Sequence, residues 1–301
     1  MYDVGIIGSG PAGIAAGIYL KRAGFKIILF EKNRIGGLLQ NAHLVENYPG
    51  FPDGISGVKL CELMKKHLEK WKIKPIFEKI IKISFEKKNF ILKSTNKDYQ
   101  VKSVIIATGT KPKKIDIPGE INLLGNKIFY EIKDIIKVIK PSDKCVIIGG
   151  GDAGFDYALN LSEKDILVEI FFKSESPKCL PLLESRVRND KNILLNPSMI
   201  PKEFIIKNGK IETIFALNKY NNYKPALIEK KIPIISDFIL IACGRIPEDE
   251  ISMSPIEKSN IDGFYFAGDV RTGKFRQVGI AIGEGIAAAM KAELYLRGEK
   301  K

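Results

Sequence analysis

Two glycine-rich hexads carry the best-specified chemistry of this chain, Gly8-Ser9-Gly10-Pro11-Ala12-Gly13 and Gly149-Gly150-Gly151-Asp152-Ala153-Gly154. Both read G-x-G-x-x-G. In that pattern the first glycine permits a tight turn, the second lets the backbone approach a pyrophosphate, and the third lets helix and strand pack closely. A helix that follows such a turn offers free amides and a partial positive charge to the phosphates. After the first hexad the next apolar run closes on Glu31, where a carboxylate can accept from a ribose hydroxyl. After the second, the equivalent run ends Phe171-Phe172-Lys173-Ser174, with no carboxylate at its tip. Glu169 comes too early and points into the sheet or to its other face. A cation at such a tip accommodates a 2′-phosphate. Lys173 and Lys178 either do this or form solvated surface.

The elements that must position these turns repeat. Val4–Ile7 reads as a strand, Gly8–Gly13 as the turn, Ile14–Ala23 as a helix and Lys26–Phe30 as a second strand. Cys145–Ile148, Gly149–Gly154, Phe155–Ser162 and Ile166–Phe172 repeat that order. Two βαβ units imply two parallel-sheet domains in an α/β chain. Between them, Val58–Trp71 reads as a helix with Leu60, Leu63, Met64 and Leu68 on its apolar side. Ile80–Phe85, Phe90–Ser94 and Tyr99–Ile106 read as strands, the last two joined through Asn96-Lys97. Residues 203–216 and 226–232 read as short strands around Asn208-Gly209, in a small antiparallel sheet packed on the parallel one. Only the charged end, Arg297–Lys301, reads as a disordered tail.

At this level the chain resembles the low-molecular-weight thioredoxin reductase family from end to end. Gly8–Gly13 with Glu31 is similar to its FAD fingerprint. Gly36-Gly37, followed by Glu46-Asn47-Tyr48-Pro49-Gly50-Phe51-Pro52, resembles its flavin-covering loop. Ala107-Thr108-Gly109 and Ile241-Ala242-Cys243-Gly244-Arg245 resemble the outward and return crossings between its domains. Phe264-Tyr265-Phe266-Ala267-Gly268-Asp269 resembles the motif whose aspartate holds the ribityl chain, and Arg276-Gln277-Val278 the start of the last helix. A helix N-terminus at Gln277–Gly279 would favour negative charge at the pyrimidine end of the flavin.

The resemblance implies two nested Rossmann-like domains: a discontinuous FAD domain over 1–111 and 246–301, and an NAD(P) domain over 112–245. It implies FAD contacts from Gly8, Ser9, Gly10, Pro11, Ala12, Gly13, Glu31, Lys32, Gly37, Leu38, Asn47, Ala107, Thr108, Gly109, Gly268, Asp269, Arg276, Gln277 and Val278. NADH or NADPH would meet Gly149, Gly151, Asp152, Ala153, Gly154, Lys173, Ser174, Lys178, Gly244 and Arg245. A homodimer is expected on the same ground.

Three departures matter. The slot of the family's C-x-x-C holds Glu131-Ile132-Lys133-Asp134. Those two acids either lie on an exposed helical turn or face the flavin and modulate its potential. Leu38 replaces a glutamine of the flavin loop. The family's H-R-R-x-x-x-R phosphate clamp becomes Phe172-Lys173-Ser174 with Lys178. Ferredoxin–NADP reductases of thioredoxin-reductase type also lack the cysteine pair, and the segment Ile128–Asp134 resembles theirs.

Composition narrows the classes further. The chain has 301 residues, 45% of them hydrophobic and 28% charged, as in a globular protein of about two domains. No apolar run reaches the roughly 20 residues needed to cross a bilayer, and no signal peptide is read at Met1–Gly8. The four cysteines, Cys61, Cys145, Cys179 and Cys243, are scattered and form no metal or C-x-x-C spacing. They read as free, mostly buried thiols of a cytoplasmic protein. Of the two histidines, His67 reads as solvated, and His43 lies in the flavin loop. The net charge of +13 favours acidic partners such as ferredoxin or flavodoxin rather than specifying a fold. No nucleic-acid partner and no metal site are expected. The sequence thus leaves two readings. One is a flavin-dependent NAD(P)H oxidoreductase passing electrons to a redox carrier, a quinone or another small acceptor. The other is a non-catalytic or redox-sensing FAD module.

Overall fold

The computed structural model describes residues 1–221, 224–248, 251, 261–271, 273 and 275–298, the side chains of 219–230 apart. Residues 299–301, most of the expected tail, lie outside the described residues. In chain order the elements are β1 (Tyr2–Ile7), α1 (Pro11–Arg22), β2 (Ile27–Phe30), α2 (Gly57–Lys70), β3 (Ile80–Glu86), β4 (Asn89–Ser94), β5 (Asp98–Ile106) and β6 (Thr110–Pro112). Then come α3 (Glu120–Leu123), β7 (Ile128–Phe129), α4 (Ile132–Ile135), β8 (Lys144–Ile148), α5 (Asp152–Ser162), β9 (Leu167–Phe171), α6 (Pro181–Arg188) and β10 (Ile193–Asn196). The chain continues through β11 (Met199–Lys207), β12 (Lys210–Asn221), β13 (Lys224–Ser236), β14 (Phe238–Ile241), β15 (Arg245–Pro247), β16 (Phe264–Phe266) and α7 (Val278–Arg297).

Two compact units form. One comprises Met1–Gln40, Val45–Lys111 and Ile246–Lys301; the other comprises Asn41–Leu44 and Pro112–Arg245. The short stretch Asn41–Leu44, expected with the first glycine turn, goes instead with the second.

In the first unit the sheet order is β2-β1-β5-β4-β3, with β16 also on β5. β1, β2, β5 and β16 run parallel, while β3 and β4 add antiparallel. The burial of β5 records this change of company. Its first half alternates between exposed and buried, and its last four residues are all buried, as expected where a strand passes from a half-solvated antiparallel pair to a sheet covered on both faces. One face holds Val4, Ile6, Leu29 and Ile105 under α1 and α7; the other holds Ile7, Phe30, Phe90 and Ile106. α7 meets α1 through small residues, and a Cβ on Gly285 would lie 2.1 Å from the Ala12 carbonyl oxygen. Leu63, expected on the apolar side of α2, is 41% exposed, because the buried stripe of that helix runs through Leu60, Cys61 and Leu68.

In the second unit five parallel strands run in the order β10-β9-β8-β14-β7. An antiparallel meander, β11-β12-β13, forms a separate sheet. Its strands are longer than the alternation predicts, β12 having 12 residues and β13 having 13. Phe204, Ile211 and Phe215 of the meander bury Val146, Ile148, Phe171 and Ile239 of the parallel sheet. Phe155, Ala158 and Leu161 of α5 fill the opposite face.

Candidate functional site

Both glycine turns are shorter than the sequence pattern suggests. α1 begins at Pro11 and α5 at Asp152, so the last three residues of each hexad form the first helical turn. Proline is suited to this place, since its missing N–H would have no helical partner there. The two turns then repeat one geometry. Gly8 (φ +106°) and Gly149 (φ +141°) sit where a Cβ would lie 2.3 Å from the carbonyl oxygens of Ala107 and Ala242 respectively. A Cβ on Gly13 or Gly154 would strike the carbonyl of the first glycine of its own turn. At Gly10 and Gly151, by contrast, a Cβ would meet nothing within 4 Å. No protein packing demands these middle glycines. What they leave open is the approach to a helix N-terminus, the space a pyrophosphate would use.

Around the first turn the chain gathers most of the residues expected to touch FAD. Glu31, just past β2, is 8% exposed. Its Oε2 accepts from the Ser9 amide at 2.9 Å and the Ser9 hydroxyl at 2.7 Å, and its Oε1 from the Asn33 amide at 2.8 Å. That network fixes the carboxylate beside the glycine turn and leaves Oε1 able to accept once more. Gly37 lies against the turn, where a Cβ would be 3.4 Å from the Gly10 Cα. Leu38 follows in the short 3₁₀ turn Gly37–Asn41. Thr108 donates to the Glu248 carbonyl at 3.1 Å, and the Glu248 amide donates to the Gly109 carbonyl at 3.0 Å. Lys32 Nζ lies 2.8 Å from Glu248 Oε2.

A second group gathers where α7 begins. Gln277 is its N-cap residue and accepts from Asn47 Nδ2 at 2.9 Å, so two residues 230 positions apart meet. Gly268 and Asp269 form a 3₁₀ turn whose first amide donates to Glu284 at 2.7 Å. Val278 opens the helix and the half-buried Arg276 precedes it. Glu248 and Glu284 were not legible as site residues. Neither sits in a motif, and the only signal for Glu248 is its place three residues beyond Arg245.

The second unit treats its expected nucleotide residues unevenly. Asp152 Oδ1 accepts from the Leu180 amide at 2.8 Å, which turns the carboxylate aside from the opening above Gly151. The loop after β9 folds back on the turn, with the Lys178 amide donating to the Gly150 carbonyl at 2.7 Å. Lys173, Lys178 and Ala153 are exposed, while the Ser174 hydroxyl donates to the Ser176 carbonyl at 2.6 Å. Glu169 pairs with Lys144 at 2.6 Å, away from the tip of β9. Gly244 (φ +104°) turns the chain after β14. The next residue, Arg245, is engaged within the protein: its Nη1 lies 2.9 Å from Glu131 Oε1.

Glu131 and Asp134 therefore part company. Glu131 stands at the N-cap position of α4, where its side chain is held instead by Arg245 and by the Asn41 side-chain amide and is 15% exposed. Asp134 pairs with Lys137 at 2.7 Å on the surface. Beside them is a cavity of about 470 Å³ lined by Leu124, Phe129, Tyr130, Glu131, Asp134 and Val138, among others. His43 joins this unit as well. Its amide donates to Asp156 at 2.9 Å, and its Nε2 lies 3.1 Å from Glu163, while His67 is exposed on α2. Of the thiols, Cys61 and Cys145 are buried, Cys179 is half-buried and Cys243 is exposed, so the expectation of mostly buried cysteines fails at Cys243.

Comparison with known proteins agrees with this geometry. Residues 2–285 match the family described as pyridine nucleotide-disulphide oxidoreductase. The chain is 30% identical to a thioredoxin reductase of Peptoclostridium litorale, over 98% of this chain and 97% of the relative. It is 29% identical to a Clostridium pasteurianum protein named "34.2 kDa protein in rubredoxin operon", over 99% and 98%. Among solved structures, Lactococcus lactis thioredoxin reductase superposes with a TM-score of 0.87 at 27% identity, covering 99% of this chain and all of that one. The thioredoxin reductase of T. acidophilum superposes with a TM-score of 0.84 at 27% identity, covering 99% of this chain and 98% of that one. With two dinucleotide turns of one geometry and a match along nearly its whole length, the chain belongs to the pyridine nucleotide-disulphide oxidoreductase family, as a thioredoxin-reductase-like, FAD- and NAD(P)H-dependent oxidoreductase.

Proposed function

We propose that the first unit holds FAD, the second holds NADH or NADPH, and electrons leave for an acceptor that meets the flavin directly, without a dithiol of this chain. When bound, FAD supplies the hydride-accepting and electron-releasing chemistry that side chains lack. The protein's part is to hold and orient. Glu31 takes the adenosine ribose, the open face above Gly10 takes the pyrophosphate, and the Gln277–Asn47 pair with the start of α7 takes the pyrimidine end of the isoalloxazine. Gly151 and the amides of α5 take the nicotinamide dinucleotide.

The observation that carries the missing relay is the slot after β7. A relay needs an attacking thiolate and a resolving thiol. The slot holds Glu131 and Asp134, and Glu131 is committed to Arg245 and Asn41. Cys145, the nearest cysteine in the chain, lies fully buried in β8, and burial pushes its thiol far above the usual range. A thiol so placed is inert. The acceptor that fits is an acidic carrier such as a ferredoxin or flavodoxin, drawn by the net charge of +13. A quinone or other small acceptor would answer to the same open route. We also propose that the chain pairs with a second copy of itself.

Stopped-flow absorbance tests the reading. NADH or NADPH should bleach the flavin under anaerobic conditions. The reduced protein should then be reoxidised by a carrier protein or a quinone and not by thioredoxin. Reoxidation by thioredoxin within one turnover, lost in Cys145→Ser or Cys179→Ser, would establish a relay through distant cysteines and end this proposal. With Lys173, Ser174 and Lys178 standing where the 2′ group would be read, little discrimination between the two nucleotides is expected. A strong NADPH preference that survives Lys173→Ala would place the 2′ site elsewhere.

A further inference from the structure

Glu248 is 9% exposed, and its Oε1 is buried with no hydrogen-bond partner among the described residues. Its other oxygen, Oε2, lies 2.8 Å from Lys32 Nζ. A buried acceptor without a donor costs its full desolvation, so native proteins rarely keep one without a purpose. The placement gives a purpose. Lys32 follows Glu31 at the end of β2, while the backbone of Glu248 is tied to Thr108 and Gly109 just past the end of β5. β2 and β5 flank β1. The Lys32–Glu248 bridge therefore spans the end of β1, over its glycine turn. A dinucleotide whose ribose rests on Glu31 and whose pyrophosphate rests above Gly10 has its adenosine under that bridge.

We infer that Glu248 is a ligand of the adenosine half of the flavin dinucleotide, its Oε1 accepting from an N–H or O–H of that half while its Oε2 fixes Lys32 across the strand ends. Two carboxylates then read the adenosine, Glu31 from the β2 side and Glu248 from the β5 side. This rests on the placement of FAD in the first unit.

The experiment compares FAD with FMN, which lacks the adenosine, by flavin fluorescence titration of the apoprotein. Glu248→Ala removes the acceptor. Glu248→Gln keeps the shape, but Lys32 takes the amide oxygen, so an NH₂ group faces the ligand's donor. Both variants should raise the Kd for FAD roughly tenfold or more, as for a lost charge-assisted hydrogen bond, and leave that for FMN within about twofold. ADP should compete with FAD less well in the variants than in the parent. FAD affinity unchanged in both, or FAD and FMN weakened alike, overturns the inference. Glu31→Ala separates the two levels. If it leaves FAD affinity intact, the placement of FAD fails and this inference with it. If it weakens FAD while Glu248→Gln does not, only the role of Glu248 is lost.

Discussion

Glu131 stands where a redox thiol is expected, yet it is built into a small ionic cluster. Arg245 and Glu131 are 19% and 15% exposed, so each would be left with a poorly solvated charge if the other were removed. Glu131→Ala or Arg245→Ala should therefore each cost about 1–3 kcal/mol, below the range for a fully buried pair because solvent still reaches this one. The double variant should cost clearly less than the sum of the two, by urea denaturation. Additive losses would mean the pair is not coupled. Asp156 offers a test with pH. Burial pushes its carboxyl above the usual range, and the charge of Asp152 adds to this, while the His43 and Leu44 amides and the charge of His43 pull it down. The folded chain thus holds that proton more tightly than the unfolded one, so ionised Asp156 costs stability at neutral pH, and the cost vanishes below the unfolded pKa near 3.9. Asp156→Asn should raise the Tm at pH 7, its amide oxygen still accepting from His43. The gap should close as the pH falls toward 4. An equal gap at both pH values would trace the effect to packing instead.

At the scale of elements, the two βαβ units were legible because their glycines are required by backbone contacts. The first and third of each hexad face carbonyl oxygens at about 2 Å from where a Cβ would be. Alternating burial likewise exposed β4 and the first half of β5 in the sequence. What was not legible depends on meetings between distant segments. Nothing local marks the pairing of Asn47 with Gln277, of Glu131 with Arg245, or of Glu248 with Lys32. The length of β12 and β13 was missed because lysines and asparagines interrupt their apolar pattern. α7 shows how position decides the meaning of a glycine. Gly285→Ala would drive a methyl group into the Ala12 carbonyl, a backbone atom that cannot swing aside, and should cost at least about 3 kcal/mol. Gly283→Ala, on the same helix with nothing within 4 Å, should instead gain about 0.5–1 kcal/mol through helix propensity. Thermal unfolding of both distinguishes them. A similar loss for the two would mean that α7 does not sit on α1 through Gly285.

At the scale of the molecule, α7 has a side that the chain itself does not cover. Its inner stripe, Ala281, Gly285, Ala288, Ala289 and Ala292, is buried. At 100° per residue the opposite stripe carries Gly283, Ala287, Met290 and Leu294, flanked by Ile280 and Ile286. Met290 is 48% exposed, Ile280 38%, and Ile286 and Leu294 37% each. A helix apolar on both sides is normally enclosed. Among the described residues no helix is long and apolar enough to cross a membrane. The pairing with a second copy proposed above would enclose it, because a two-fold axis lets one apolar stripe cover its own image without needing a complementary surface elsewhere. Such a contact is apolar, so it should resist salt, unlike the proposed encounter of a +13 chain with an acidic carrier, which salt would screen. Sedimentation at micromolar concentration should therefore show a dimer in both low and high salt. Met290→Lys and Leu294→Lys, each placing a charge at the centre of the stripe, should shift the protein to monomers while the flavin stays bound and the Tm of the monomer unit changes little. A parent protein that sediments as a monomer, or variants that still sediment as dimers, would remove α7 from the interface.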